Sequence, residues 1–237
     1  MIKLQDIQIY LIDINSEMIT IWKRFFKNIP NVNICNIDLH TFLNQNSNIE
    51  AIVSPANSFG LMDGGYDKAI VDYYGLSVVQ NVKQYILQNY FGEQPVGTAF
   101  TVPINETQYL IHSPTMRLPE IIGDSRVIYS CMRSTLIECM KNNIKSVVIP
   151  AFGGCTGQVD KRELANMMRL AYEQLINPPT EIAWNTPLRF EDYEIVQWSH
   201  AEGYPIISKD NSTKFTISNN LKSVIYRLED TDSHTIA

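Results

Sequence analysis

Ser54-Pro-Ala-Asn-Ser-Phe-Gly-Leu-Met-Asp-Gly-Gly65 and Pro150-Ala-Phe-Gly-Gly-Cys-Thr-Gly157 decide the fold. Each stretch follows an apolar, strand-like run and precedes a helix-like one, and together they hold six of the chain's 11 glycines. Glycine lets backbone N–H groups come close to an anion, and the N-terminus of the following helix adds the positive end of its dipole. Two such loops in one domain can grip two phosphates, which points to a diphosphate or nucleotide-like ligand.

Outward from these loops, Ile7 to Ile12, Val32 to Cys35, Glu50 to Ser54 and Ile144 to Ile149 read as strands. Helical patterns alternate with them. Asn15-Ser16 can cap a helix carrying Met18, Ile19, Trp22, Phe25 and Phe26, and Leu39 to Leu43 follows Asp38. Tyr66 to Tyr74, Val78 to Phe91 and Ser125 to Asn142 are further helices, and Asp160 with Glu163 forms a capping-box pattern for a helix to about Leu175. Val96 to Pro103 and Thr107 to His112 alternate like two adjacent strands. Such an order predicts a three-layer α/β/α fold with a mixed, mostly parallel central sheet, its ligand lying beyond the carboxyl ends of the strands. Both glycine loops, Asp13 and Asp38 fall at those ends. After Asn177-Pro-Pro179 the alternation fails, so the expected division is a domain over 1–177 and an extension over 178–237 packed on it, with a frayed tail. Trp184, Trp198 and Tyr204 either anchor that extension or form a lid.

Composition narrows the function. The 237 residues are 45% apolar and carry 19 basic against 25 acidic side chains, a net charge of −6. An acidic chain with no Lys/Arg run is not expected to grip a nucleic-acid backbone. No stretch approaches the roughly 20 apolar residues of a membrane helix, and the start lacks a signal-peptide pattern, so no membrane partner and a cytoplasmic location are expected. Cys35, Cys131, Cys139 and Cys155 form no metal spacing. No glycine precedes Gly60, which removes the dinucleotide fingerprint, and no metal or cofactor is expected.

At the loops the chain resembles the macro domain family of ADP-ribose-binding modules, in its bacterial and phage branch. The family's strand followed by Asn-Ala-Ala-Asn and a glycine-rich stretch before Val-Asp-x-Ala-Ile is similar to Val53-Ser-Pro-Ala-Asn57 and Asp63-Gly-Gly-Tyr-Asp67-Lys-Ala-Ile70. Asn57 and Asp67 are ten residues apart, as in the family. Pro150 to Gly157 looks like the family's second glycine loop, and Ser113-Pro-Thr-Met-Arg-Leu-Pro119 like its Pro-Thr-Met-Arg loop. The resemblance covers roughly Val32 to Leu175 and implies binding of ADP-ribose or an ADP-ribosylated substrate. It also implies hydrolysis of an ADP-ribosyl linkage or of ADP-ribose 1″-phosphate; a non-catalytic binder or sensor, and a scaffold using the same fold, are the alternatives.

Residue by residue, the resemblance places Asp38 at the adenine amino group and Asn57 at the distal ribose hydroxyls. It lays Gly64, Gly65 and Tyr66 along the diphosphate and distal ribose, and makes Gly153, Gly154, Cys155, Thr156 and Gly157 the phosphate loop, with Phe152 packing against ribose or adenine. Asp67 with Asn57 is the catalytic candidate, able to order or deprotonate a water. The plainer alternatives are that Asp67 complements a helix dipole, that Asp38 is a helix cap, and that Asn57 stabilises a turn. His112 fits a structural histidine, and His40, His200 and His234 have no partners by spacing. The chain departs from the family at Met62 and Asp63, which stand where hydrolytic relatives often have glycines, at Cys155 in the phosphate loop, and at Val71, where a histidine is common.

Overall fold

The computed structural model describes residues 1–182 and, beyond them, the backbone of Glu194–Ser199, Tyr204–Ser208, Phe215–Ile217 and Tyr226–Leu228. In chain order the first unit runs β1 (Gln8–Asp13), α1 (Ser16–Phe25), β2 (Val32–Asn36), α2 (Leu39–Gln45), β3 (Ala51–Ser54), α3 (Gly65–Tyr74) and α4 (Ser77–Tyr90). It continues with β4 (Phe100–Pro103), β5 (Tyr109–His112), α5 (Arg126–Lys141), β6 (Ser146–Pro150) and α6 (Lys161–Ile176). The predicted strand Val96 to Pro103 begins only at Phe100, because Gly97 adopts a φ of +82° and its amide is spent on Pro114 O.

The six strands order as β2-β1-β6-β3-β5-β4. All neighbours pair in parallel except β4, which runs antiparallel to β5 at the edge. The fold is thus the mixed, mostly parallel α/β/α sandwich. Strands buried on both faces need apolar residues at successive positions, and Ala51, Ile52 and Val53 of β3 and Val147, Val148 and Ile149 of β6 are wholly enclosed. Alternation sends Leu11, Val53, Val147 and Ile149 toward α1, α5 and α6, where Trp22, Met132, Leu136 and Met168 cover them. Ile12, Ile52, Leu110 and Val148 face α2, α3 and α4, against Phe42, Ile70 and Val82.

Caps set the helix starts. Asn15 Oδ1 accepts from the amides of Glu17 and Met18, opening α1, and Asp160 accepts from those of Arg162 and Glu163, opening α6. Glu163 does not complete the expected box; its carboxylate accepts from Ser125 Oγ and ties the start of α6 to that of α5.

By its internal contacts the chain divides into two compact units, Met1–Pro178 and Pro179–Ala237. In the second, Glu194–Ser199 pairs antiparallel with Tyr204–Ser208, and Phe215–Ile217 with Tyr226–Leu228. The lid or anchor expected of Trp184 and of the Trp198 and Tyr204 side chains lies outside what is described.

Candidate functional site

The parallel sheet brings the carboxyl ends of β1, β2, β3, β5 and β6 to one edge, and every loop singled out from sequence leaves from that edge. β6 is the strand between β1 and β3, so its glycine loop lies beside the one that follows β3.

The loop after β3 is shaped by Asn57. Its Oδ1 accepts from the amide of Phe59 at 3.0 Å, its carbonyl accepts from Gly60, and it bridges to Met116 of the neighbouring loop. Gly60 has φ +60°, and a Cβ there would sit 2.5 Å from Val82 Cγ1. Met62 holds φ +52° and is buried, so a backbone conformation suited to glycine survives its replacement by methionine. The same loop leads into α3 through Gly64, which offers no side-chain cap. The first amides of α3 therefore have no cap acceptor and sit at the positive end of its dipole, the arrangement that receives an anion. Among the described residues, nothing beyond the adjoining chain lies within 4 Å of a Cβ placed on Gly64 or Gly65, so a ligand can approach the backbone there.

In the loop after β6 the amides of Gly154, Gln158 and Val159 close turns onto Ala151, Cys155 and Gly153. Among the described residues no loop or turn hydrogen bond is donated by the amides of Cys155, Thr156 or Gly157, which leaves them for a ligand. The glycines serve packing as well. A Cβ on Gly157 would lie 2.5 Å from Ile122 Cδ1 and 2.8 Å from Gly153 O, and one on Gly153 would lie 2.8 Å from Ile128 Cδ1. Gly154 directs its Cβ position at Ala151 and Leu164, both 3.2 Å away, rather than outward. Phe152 corrects its sequence assignment: the ring is fully buried in the layer of α1, α5 and α6 and forms no wall of the crevice. Alternation along β6 would put position 152 on the face of Val148; the turn that Gly154 closes onto Ala151 carries the ring to the face of Val147 and Ile149 instead.

Asp67 lies in the first turn of α3 and is 8% exposed. Ser54 Oγ, at the end of β3, donates to its Oδ1 at 2.7 Å. Burial lifts the carboxyl from 3.8 to about 6; the Ser54 bond pulls the other way, and the nearby Asp63 carboxylate adds to the rise. Ser54 stands where the resembling signature opens with Asn, the one sequence signal for this partner. Next to Asp67, the Tyr66 hydroxyl is buried with no hydrogen-bond partner among the described residues, and burial raises its pKa well above the usual value.

Asp38 caps α2. Its Oδ1 accepts from the Thr41 amide at 2.9 Å and its Oδ2 from Thr41 Oγ1 at 2.6 Å. Those bonds hold its carboxyl below the ordinary range, and the residue stays exposed at the carboxyl end of β2. Asp13 accepts from the Asn15 amide, a turn into α1. His40, expected to lack a partner, has its Nε2 2.7 Å from Ala69 O and its ring against Tyr73; the tie joins α2 to α3 across a separation no spacing rule reveals.

His112, Arg117 and Glu93 complete the surroundings. Burial holds the His112 ring neutral, pushing its pKa down to about 3. Arg117 pairs with Glu93 through two bonds of 2.7 and 3.0 Å and lies 5.2 Å over the Phe59 ring, beside Asn57. Cys131 is pushed up to about 12 by burial, whereas Cys155 is exposed in the phosphate loop. A separate cleft of about 550 Å³, lined among others by Asn48, Glu50, Tyr109 and Asn143, opens at the opposite, amino-terminal end of β3, β5 and β6, away from both glycine loops. Among the described residues no cluster of His, Cys, Asp and Glu side chains could hold a metal ion, and no helix is long and apolar enough to cross a membrane.

The Macro domain family model matches residues 53–168, from the end of β3 into α6. An uncharacterised protein of Aquifex aeolicus (strain VF5) is 30% identical over 121 residues, which is 50% of this chain and 70% of that protein. The chain belongs to the macro domain family. Among solved structures, the Oceanobacillus iheyensis macrodomain with ADP is 19% identical, covering 54% of this chain and 69% of its own, at a TM-score of 0.48. The macrodomain of Mycobacterium tuberculosis DarG is 21% identical over 54% of this chain and 84% of its own, at 0.47. In this macro domain the matched stretch contains both glycine loops, Asn57 and Asp67, while Asp13 and Asp38 precede it.

Proposed function

We propose that this macro domain binds ADP-ribose or an ADP-ribosylated substrate and hydrolyses the bond at the distal ribose, either an ADP-ribosyl linkage or the phosphoester of ADP-ribose 1″-phosphate. Macro domains are ADP-ribose-binding modules, which supports the ligand class. The observation that carries the catalytic step is Asp67, a buried carboxyl brought to about 6 in the first turn of α3 and bonded by Ser54. A general base works best when its pKa lies near the working pH, and a merely structural acid in a first turn gains nothing from burial.

In this reading the diphosphate sits between the first amides of α3 and those of Cys155, Thr156 and Gly157. Asp38 accepts from the adenine amino group and Asn57 holds the distal ribose. Asp67, ionised once its proton is lost, orders and deprotonates the attacking water, while Ser54 keeps the carboxylate aimed.

Calorimetric titration with ADP-ribose, ADP and AMP tests the binding half: affinity should fall in that order as the distal ribose and then the second phosphate are removed. Release of ADP-ribose from an ADP-ribosyl ester or N-glycoside, or of phosphate from the 1″-phosphate, tests the chemical half. Tight binding with no turnover of any of these would establish the second reading, a binder or sensor. Met62 and Asp63 favour that reading, because a buried side chain and a negative charge stand where hydrolytic relatives often have glycines.

A further inference from the structure

We infer that Gln94 is a positioning residue that locks the Asn57 loop to the Ser54–Asp67 pair through His112, and that it sets turnover in the site proposed above; the inference rests on that function for its kinetic consequence. Gln94 lies in the link between α4 and β4, fully buried, in a stretch outside every motif read from the sequence.

Its backbone and side chain act on different parts of the site. The Gln94 amide donates to Ser58 O at 2.9 Å, fixing the residue that follows Asn57. Its Oε1 lies 2.6 Å from His112 Nδ1, and its Nε2 is 3.1 Å from Thr98 Oγ1 and 3.4 Å from His112 O. Thr98 Oγ1 donates to Pro95 O at 2.7 Å, so toward Gln94 it can only accept. That fixes the amide: the NH₂ end faces Thr98, the carbonyl end faces His112, and His112 Nδ1 must therefore carry the proton. Its Nε2 is then a bare lone pair, buried without a partner among the described residues, and the ring is held neutral.

His112 stands at the junction of both catalytic candidates. On the sheet it is the register partner of Ser54, whose hydroxyl holds Asp67, and the next amide, Ser113, donates to Ser54 O at 3.0 Å. Its Nε2 faces Gly60, 3.6 Å from where a Cβ would stand, in the turn that Asn57 closes. Phe100 stacks on the ring, their centroids 5.2 Å apart, and restricts the plane of the imidazole. A proton on Nε2 would bring a donor against the Gly60 turn, so the tautomer enforced by Gln94 preserves the close approach of that loop to β5. A shift there moves Asn57 relative to Asp67, and misplacement on the order of 1 Å can cost about 100-fold in rate.

Gln94→Met, similar in volume and unable to hydrogen-bond, is expected to lower kcat at least about tenfold while KM changes less than about threefold. The long-range ¹H–¹⁵N spectrum of the histidine rings should change with it, from a single Nδ1–H form of His112 to a mixture of tautomers. Thr98→Val, at a half-buried position, removes the acceptor that orients the amide together with the bond to Pro95 O, leaves Gln94 itself in place, and should move both readouts the same way by less. A changed ring spectrum with unchanged kcat in both variants overturns the inference, as does an unchanged ring spectrum. If the wild type turns over none of the ADP-ribosyl substrates, the proposed function fails separately. The lock is then judged by the Asn57 side-chain amide resonance: displacement in both variants sustains it, and a fixed resonance in both overturns it.

Discussion

Replacing Asp67 by Asn should make the protein more stable near neutral pH while abolishing turnover, and the gain should vanish in acid. Burial raises the native carboxyl from 3.8 to about 6, so the folded chain holds this proton more tightly than the unfolded chain. Its contribution to stability is complete below about 4 and is lost as pH rises through about 6. At pH 7.5 the ionised side chain costs the native state about 3 kcal/mol relative to acid, since each pKa unit is worth about 1.4 kcal/mol. An amide of the same shape keeps the bond from Ser54 Oγ and cannot ionise. The expected gain is therefore at most about 3 kcal/mol at pH 7.5, which for a unit of this size is a rise in Tm of roughly 6 to 12 °C.

The assay is a pair of melting series, wild type and Asp67→Asn, from pH 4 to pH 8. The two Tm curves should meet near pH 4 and part between about pH 4 and pH 6, with the variant above. Parallel curves across that range would show that Asp67 keeps an ordinary pKa, and the physical basis for its role as base would go with it. A stabilised variant that also loses at least about 100-fold in kcat would mark Asp67 as a group kept in a costly environment for its chemistry.

Asp63→Asn removes the like charge beside Asp67, so the acid limb of the kcat–pH profile should move to lower pH; an unmoved limb would place the essential base elsewhere. Asp38→Ala should weaken ADP-ribose binding about tenfold or more but spare an inosine analogue, since only adenine offers the amino donor; equal losses would leave Asp38 as a helix cap alone. Gly64→Ala, whose Cβ meets only open space, should leave Tm unchanged yet reduce ADP-ribose affinity in calorimetry, whereas Gly157→Ala, pressed on Ile122 and Gly153 O, should lower both.

The sheet and the two glycine loops were legible because they rest on local signals. Apolar runs too short for helices, bounded by capping residues and glycine, can do little else than enter a covered parallel sheet, and β3 and β6 are enclosed on both faces accordingly. Loop placement at the carboxyl edge then follows from chain connectivity. What stayed hidden depends on where side chains meet across the sheet. Phe152 carries the same apolar character whether it faces a ribose or α5, and only the twist of the chain after β6 decides that it turns inward. Gln94 and His112 are 18 residues apart in different elements, and neither residue type announces the other.

Asp67 shows how the two levels combine. Its sequence position gives the helix start and the distance from Asn57, which fits a dipole-complementing acid as well as a base. Those two roles differ in solvation: an acid that serves the dipole stays in water and keeps a low pKa, whereas one that must accept a proton near neutrality needs water removed from it. Asp67 is buried where Ser54 bonds its carboxylate, and the Gln94–His112 lock holds the neighbouring Asn57 loop against β5. The electrostatics of the catalytic candidate are thus set from residues outside its own helix. Loosening the lock should let water reach Asp67, lower its pKa toward 3.8 and shift the stability–pH curve of Gln94→Met toward acid relative to wild type, even where no substrate is present.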